Sequence, residues 1–200
     1  MKSFLKSFHF AFMGLKYALL NERNFRILIL CSLLVILGTL LLNFSFLQQI
    51  MALILMAGLL SFELMNSAVE NCCNASGSKF DLHKKNAKDM AASSVLIFCL
   101  LTLFCLCSFL LSQQNYLPEL LKNSPLGPIS LLGMLAINFP LCLRAPSIIL
   151  SIASVILSIS FHCIIAFQIA SSLGMLCVSF LIHSALCYSH LKRSTQKIKQ

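Results

Sequence analysis

The chain has 200 residues, of which 58% are hydrophobic and 10% are charged, and its mean hydropathy is +0.90. A soluble globular domain carries about 25% charged residues, so the composition excludes that class and favours a protein that lies in a lipid bilayer. Lys and Arg number 15, whereas Asp and Glu number 6. In a membrane protein such an excess orients the chain, so we expect no nucleic-acid partner.

The segment before the first long apolar run predicts an amphipathic helix that lies in the membrane interface. At about 100° per residue, one face of this helix is basic. It carries Lys2, Lys6, His9 and Lys16. The opposite face is apolar and carries Phe4, Phe8, Leu15 and Leu19.

Six later segments are long and apolar enough to cross a bilayer, which takes about 20 helical residues. The first four are Ile27 to Phe44, Phe46 to Val69, Met90 to Ser112 and Leu126 to Leu143. The stretch from Ser147 to His190 has room for two more, with a turn near residues 168–172. The sequence therefore predicts an all-α, multi-pass membrane protein.

The distribution of basic residues tests this arrangement, because Lys and Arg collect on the cytoplasmic side. With six spans, every Lys and Arg except Lys122 falls on one side of the membrane. Both termini are therefore predicted to be cytoplasmic.

The ten cysteines do not indicate a disulfide framework or a zinc site. Eight lie within apolar runs, where cysteine packs as a small hydrophobic residue. Cys72 and Cys73 are adjacent, and no second Cys or His pair follows at the spacing that zinc fingers use.

Carboxylates at membrane depth are the first indication of chemistry, because ionisable groups there are costly. Glu63, Asn66 and Glu70 recur at i, i+3 and i+7, which places them on one face of the second span. Glu22, before the first span, and Asp89, before the third, are expected at the same membrane level.

Carboxylates beside a basic loop suit phosphoryl transfer from a nucleotide: Mg²⁺ and Lys neutralise phosphate oxygens, and a carboxylate accepts a hydroxyl proton. The loop contributes four lysines, namely Lys79, Lys84, Lys85 and Lys88. The residues leave open a plainer interpretation, in which these interfacial groups pair with one another or extend toward water. No P-loop glycine pattern is present, which excludes a Walker-type NTPase.

Three blocks of sequence resemble the signature blocks of the small bacterial integral-membrane diacylglycerol kinase and undecaprenol kinase family. They are Asn21-Glu22-Arg23-Asn24-Phe25-Arg26, Phe62-Glu63-Leu64-Met65-Asn66-Ser67-Ala68-Val69-Glu70 and Ala87-Lys88-Asp89-Met90-Ala91-Ala92-Ser93-Ser94-Val95-Leu96. The resemblance covers about residues 3–112, including the interfacial helix and three spans. It divides the chain into a kinase domain at 1–112, an extracytoplasmic linker at 113–125 and a transmembrane extension with a basic cytoplasmic tail at 126–200.

The resemblance implies roles for individual residues. Glu63 would be the general base, Glu22 and Glu70 would bind the Mg²⁺ of ATP, and Asn66 would support the base. The positions that contact the nucleotide would be Glu22, Glu70, Lys79, Phe80, Asp81, Lys88 and Asp89. Members of the family are homotrimers of the bacterial inner membrane, so we expect the same here.

Two departures from the family are visible. Cys73 and Asn74 stand where relatives have Val and Asp, which removes one carboxylate from the loop. Residues 113–200 have no counterpart in the resemblance, and the motifs of a fused lipid phosphatase are not present intact. We interpret this half as an accessory membrane domain. In it Ser147, Ser151, Ser154 and Ser158 form a small-residue face suited to helix packing.

The resulting hypothesis is ATP- and Mg²⁺-dependent phosphorylation of a membrane lipid, with diacylglycerol favoured and undecaprenol as the alternative. A proton-coupled small-molecule transporter with Glu63 as its coupling site is a rival from another class. A catalytically inactive relative is the third hypothesis. The joint presence of five polar site residues argues against it, namely Glu22, Glu63, Asn66, Glu70 and Asp89.

Overall fold

The computed structural model describes residues 2–77, 80–113, 126–143, 151–160 and 173–198, and every regular element in these ranges is an α-helix. The seven helices are α1 (Lys2–Asn21), α2 (Arg23–Leu41), α3 (Phe46–Ala75), α4 (Leu82–Ser112), α5 (Leu126–Leu143), α6 (Ser151–Ser160) and α7 (Leu173–Ile198). The predicted all-α membrane fold is therefore confirmed.

Three helices of the described ranges are long and apolar enough to cross a membrane, namely α2, α3 and α4. They correspond to the first three predicted spans, but α3 and α4 extend beyond the apolar runs at their charged ends. α4 begins at Leu82, ahead of the run that starts at Met90. The reason is that a helix continues through water wherever its backbone bonds and caps are satisfied, whereas the apolar pattern ends at the hydrocarbon boundary.

The other three predicted spans remain predictions. α5 has the bounds expected for the fourth span, and α6 and α7 fall in the stretch expected to hold the fifth and sixth. α7 runs on past His190 to Ile198. The turn predicted at residues 168–172, like the linker at 114–125, lies outside the described residues.

The helix ends near the predicted site follow from local chemistry. Glu22 separates α1 from α2 in an extended conformation, with φ −90° and ψ 113°, so the chain bends at this residue. Between α3 and α4, Asp81 caps α4 by accepting a hydrogen bond from the backbone N–H of His83 at 2.8 Å. The two bends bring α1, α3 and the start of α4 toward one end of the molecule.

α2 is the centre of the packing. Leu33, Ile36 and Leu37 of this helix have no exposed surface. α2 packs against α3, and it also packs against α5 and α7 of the extension. α4 packs against α3, and Thr102 is its one buried residue.

In the part of the chain that the structure describes, the extension and the amino-terminal segment meet in a shared hydrophobic cluster. Leu19, Phe25 and Leu30 pack with Cys142 of α5 and Leu186 of α7, all at 6% exposure or less. Within a bilayer such contacts stabilise the arrangement by van der Waals packing, because lipid tails are as apolar as these side chains. The two halves of the chain therefore share a core.

Polar side chains fasten this junction. Arg26, which the charge pattern placed at the cytoplasmic surface, is only 4% exposed. Its guanidinium donates to the carbonyls of Cys142 at 3.2 Å, Leu20 at 3.2 Å and Leu19 at 3.4 Å. Ser189 of α7 also donates to the Leu19 carbonyl, at 2.8 Å. The carboxyl-terminal carbonyls of α1 and α5 thus receive donors from α2 and α7.

The predicted small-residue face of the extension is buried, as its spacing indicates. Ser151, Ser154 and Ser158 are at most 7% exposed, and Ser147 lies outside the described residues. Ser158 accepts a hydrogen bond from the Asn138 amide at 2.9 Å and contacts Nε2 of His183 at 2.6 Å. Asn138, Ser158 and His183 thus satisfy one another's hydrogen bonds inside the helix packing, which is their structural role.

Candidate active site

Glu63 is the most deeply buried carboxylate of the predicted site. It lies on α3, and its side chain is 4% exposed. The side chain of Asn24, near the start of α2, interacts with this carboxylate as a neutral polar neighbour. The buried carboxylate therefore faces a neutral group from a neighbouring helix, which leaves its charge without a cationic partner in this contact.

Glu70 and Glu22 lie close enough to Glu63 to interact with it electrostatically, and Glu70 has the stronger effect of the two. The bend between α1 and α2 supplies Glu22, and the helical repeat of α3 supplies Glu70. The structure thus brings together three of the four carboxylates that the sequence predicts at one level.

Three amide or hydroxyl side chains organise these carboxylates. Asn66 donates to Oε1 of Glu70 at 3.5 Å, and Asn71 donates to Oε1 of Glu22 at 3.2 Å. The hydroxyl of Tyr17 donates to Oδ1 of Asn71 at 3.5 Å. The Oδ1 atom of Asn66 is buried, and among the described residues it has no hydrogen-bond partner. This oxygen is available to a hydroxyl or other donor that enters the site.

A basic cavity of about 460 Å³ opens where α3 turns into α4. Three of the four predicted loop lysines line it, namely Lys84, Lys85 and Lys88. Lys88 donates to Oδ1 of Asn74 at 2.7 Å, so the departure from the family at Asn74 preserves a contact while leaving the ammonium charge uncompensated by it. A cavity with this charge suits phosphate oxygens.

The remaining predicted nucleotide positions differ in their placement. Phe80 and Asp81 line the basic cavity, where Phe80 is 83% exposed and Asp81 caps α4. Asp89 is exposed on α4 and is not among the residues that line this cavity. Lys79 lies outside the described residues.

An apolar cleft of about 530 Å³ separates the interfacial helix α1 from α3. Its walls are mostly apolar and include Leu15, Leu64 and Ala68. Its polar end is formed by Tyr17, Glu22 and Asn71, the same residues that organise the carboxylates. An apolar channel that ends at acidic and amide groups suits a lipid with an uncharged, hydroxyl-bearing headgroup.

The donor set fits a hard divalent cation, for which carboxylate oxygens are preferred ligands. Among the residues that the structure describes, no group of three or more His, Cys, Asp or Glu side chains could hold a metal ion. Glu22 and Glu70 suit a cation that keeps most of its ligands as water and phosphate oxygens, as Mg²⁺ does.

Asn24, Asn71 and Tyr17 are functional candidates that the sequence analysis did not select. A signal for Asn24 was present, since it lies two residues after Glu22 within the first signature block. The sequence carries no such signal for Asn71 and Tyr17, because a polar residue near the end of a helix is ordinarily solvated.

The chain is similar in sequence to known proteins over part of its length. The sequence model of the family "Prokaryotic diacylglycerol kinase" matches residues 9–110. The chain is similar to the undecaprenol kinase of Bacillus subtilis (strain 168), with 30% identity over 117 residues, which are 58% of this chain and 90% of that protein. No solved structure matches the chain significantly. The family match falls on the part of the chain that carries the carboxylates and the basic cavity.

Proposed function

Since the chain belongs to the prokaryotic diacylglycerol kinase family and is a lipid kinase, we propose that it transfers the γ-phosphate of ATP to the hydroxyl of diacylglycerol. The observation that supports this most directly is the buried carboxylate of Glu63, which interacts with the Asn24 side chain and with the charges of Glu70 and Glu22. Such a group accepts a proton from a substrate hydroxyl once the hydroxyl lies within hydrogen-bond distance.

The acceptor lipid enters the cleft between α1 and α3. The apolar walls accommodate acyl chains, and the polar end with Tyr17 and Asn71 receives the glycerol hydroxyl. Ser67, which lines the cleft, lies one helical turn from Glu63 on α3, so the polar end and the buried carboxylate are neighbours. The acidic character of this end disfavours a lipid that already carries a phosphate.

Proton transfer and bond formation take place at the lipid oxygen. Glu63 accepts the hydroxyl proton as that oxygen forms a bond to the γ-phosphorus. The bond from the γ-phosphorus to the bridging oxygen breaks, and ADP leaves. The Asn24 side chain lies beside the Glu63 carboxylate and is placed to orient it.

Glu22 and Glu70 are the residues that would hold Mg²⁺. Asn71 and Asn66 each donate to Oε1 of these carboxylates, so the hydrogen bonds orient the groups while the Oε2 atoms stay available. When bound, the ion supplies neutralisation of the charge on the phosphate oxygens.

The basic cavity binds the rest of the triphosphate. Lys88, fixed by Asn74, and the neighbouring Lys84 and Lys85 supply the positive charge. Asn74 lies one turn beyond Glu70 on α3, so the lysines continue the row of site residues along that helix. Lys79 and Asp89 remain predicted nucleotide contacts.

Undecaprenol is a second candidate acceptor, because the chain is 30% identical to an undecaprenol kinase over most of the length of that protein. Both lipids present a hydroxyl at the membrane interface, and the cleft beside α1 admits an apolar chain of either kind. Phosphate transfer to the two lipids, measured side by side, therefore decides which of them is the acceptor.

For the assembly we propose a homotrimer in the bacterial inner membrane, with both termini in the cytoplasm. The support comes from α4, which packs on α3 and leaves large apolar residues exposed, among them Leu96, Ile97, Leu103 and Phe104. Asp89 lies at the cytoplasmic end of this same exposed helix. A neighbouring subunit that covers α4 would bring Asp89 toward a second site.

The test is transfer of labelled γ-phosphate from Mg²⁺-ATP to each lipid in mixed micelles, with the full chain and its Glu63→Gln variant. We expect Glu63→Gln to lower kcat by roughly 10²- to 10⁴-fold while the KM for ATP is unchanged. Ser61→Ala is the matched control on the same helix, because its hydroxyl donates only within α3, to the Ala57 carbonyl at 2.9 Å.

Unchanged turnover in Glu63→Gln would remove Glu63 from the proposed mechanism. Label in undecaprenol and not in diacylglycerol would assign the second acceptor. Absence of ATP binding in the folded natural chain would instead favour the transporter or the inactive relative.

A further inference from the structure

The interfacial helix α1 is bordered by two clefts rather than one. The proposed acceptor cleft lies toward α3, and a second cleft of about 290 Å³ separates α1 from α7. Leu15 lines both, so the two clefts are neighbours on the same helix. The second cleft needs α7, which lies outside residues 9–110, the part of the chain that the family model matches.

The two clefts carry opposite charge. Glu22 is the ionisable carboxylate at the polar end of the cleft toward α3. The cleft toward α7 is bordered by Lys16 and His9, and no carboxylate lines it among the described residues. The first cleft therefore favours an uncharged headgroup and the second an anionic one.

The rest of the second cleft is apolar and open. Phe12, Met13 and Leu19 form its surface, and Phe12 is 67% and Met13 51% exposed. Large apolar side chains exposed on an interfacial helix bury their surface in lipid. The Tyr188 side chain of α7 borders the cleft and presents a phenol that can donate to a headgroup oxygen.

The cleft is held open by the junction between the two halves of the chain. Ser189 donates to the Leu19 carbonyl at 2.8 Å, and Arg26 donates to the Leu19 and Leu20 carbonyls at 3.4 and 3.2 Å. The Ser189 bond fixes α7, and the Arg26 bonds fix α2, against the end of α1, next to the residues that line the cleft. A preformed site loses little conformational freedom when a ligand binds.

We propose that the cleft between α1 and α7 binds an anionic glycerophospholipid of the surrounding bilayer. Lys16 and His9 contact the phosphate, and one acyl chain lies along Phe12, Met13 and Leu19. The volume is near the lower end of ligand pockets, about 300 Å³, so the cleft holds the phosphate-proximal part of the lipid while the chain ends remain in the bilayer. The site is separate from the proposed acceptor site and does not depend on which lipid is phosphorylated.

The chain contains no tryptophan, so one introduced tryptophan reports on its own surroundings. Tyr188→Trp places the reporter in the cleft, and Phe12→Trp is a second reporter on the opposite wall. The full-length variants are reconstituted into vesicles that contain increasing fractions of brominated phosphatidylglycerol or brominated phosphatidylcholine. Quenching of the fluorescence then measures which lipid occupies the cleft.

We expect phosphatidylglycerol to occupy the cleft about threefold more strongly than phosphatidylcholine, as one or two exposed charge contacts would give. The control reporter is Phe4→Trp, an exposed position on the same helix near Lys6 that does not line the cleft. It measures the general attraction of a basic helix for anionic lipid, and we expect its preference to be clearly smaller.

Charge variants in the Tyr188→Trp background test the assigned contacts. Lys16→Gln combined with His9→Gln should reduce the lipid preference to that of the control reporter, whereas Lys6→Gln should leave it unchanged. The proposal is overturned if the cleft reporters show the same preference as the control, or if Lys6→Gln acts as strongly as Lys16→Gln. It is also overturned if neither lipid quenches the cleft reporters, because the cleft would then be filled by protein, including a second copy of this chain.

Discussion

Replacement of Arg26 by Met would measure how strongly the extension is bound to the kinase segment. Met retains an unbranched side chain but has no donor, so the carbonyls of Leu20 and Cys142 lose the guanidinium bonds at 3.2 Å. The Leu19 carbonyl keeps a donor, since Ser189 binds it at 2.8 Å. One buried carbonyl, of Cys142, and one partly buried carbonyl, of Leu20, therefore lose a partner.

An unsatisfied buried acceptor costs about 1–3 kcal/mol. The lengths of the Arg26 bonds, 3.2–3.4 Å, are longer than the usual 2.9–3.0 Å, and the burial of the guanidinium is itself costly. Because the bonds are long and the guanidinium is costly to bury, the cost of leaving each carbonyl unsatisfied should lie below the upper limit of that range. We expect Arg26→Met to lower the free energy of unfolding by about 3 kcal/mol.

The measurement is equilibrium unfolding by SDS in mixed micelles, followed by far-UV circular dichroism on the full chain. Arg23→Met is the matched control, because Arg23 lies in the same turn of α2 but is exposed. We expect it to change the free energy of unfolding by less than about 0.5 kcal/mol.

Ser189→Ala supplies a second variant that isolates the junction. Alone it should cost about 1 kcal/mol, because Arg26 still donates to the Leu19 carbonyl. In the Arg26→Met background that carbonyl loses both donors, so the same change should cost about 1 kcal/mol more. Full stability of Arg26→Met, or strict additivity of the two changes, would refute the assignment of these bonds to the junction.

Two further predictions concern the kinase segment. Asn24→Ala removes the amide that interacts with Glu63, and we expect kcat for lipid phosphorylation to fall about tenfold with the KM for ATP unchanged. Asn21→Ala should have no effect, because its amide donates within its own helix, to the Tyr17 carbonyl. Equal kcat values for the two variants would contradict an orienting role of Asn24. A Cβ at Gly58 would lie 2.7 Å from Cε1 of Phe98, so Gly58→Leu should destabilise the contact of α3 with α4 by about 1–3 kcal/mol in the SDS assay. Phe98→Ala should relieve part of that loss in the double variant, and an unrelieved loss would place the strain elsewhere.

The site residues of α3 follow from sequence because a helix is a local structure. Glu63, Asn66 and Glu70 share a face through the 3.6-residue repeat alone, whatever packs against it. The apolar runs and the basic residues likewise indicate spans and charged ends, because lipid constrains each segment separately. The resemblance then named the chemistry that these positions suggest.

Only the tertiary structure shows which groups contact the site and how the second half of the chain packs. Asn24 of α2 interacts with Glu63 of α3, and Asn71 of α3 donates to Glu22 where the chain bends. The charge pattern predicts Arg26 on the cytoplasmic side of the first span; the structure buries it where α2 packs against α5 and α7, and the Cys142 carbonyl of α5 accepts a bond from its guanidinium. Contacts between segments more than a hundred residues apart depend on how whole helices pack, and no short pattern in the sequence records that packing.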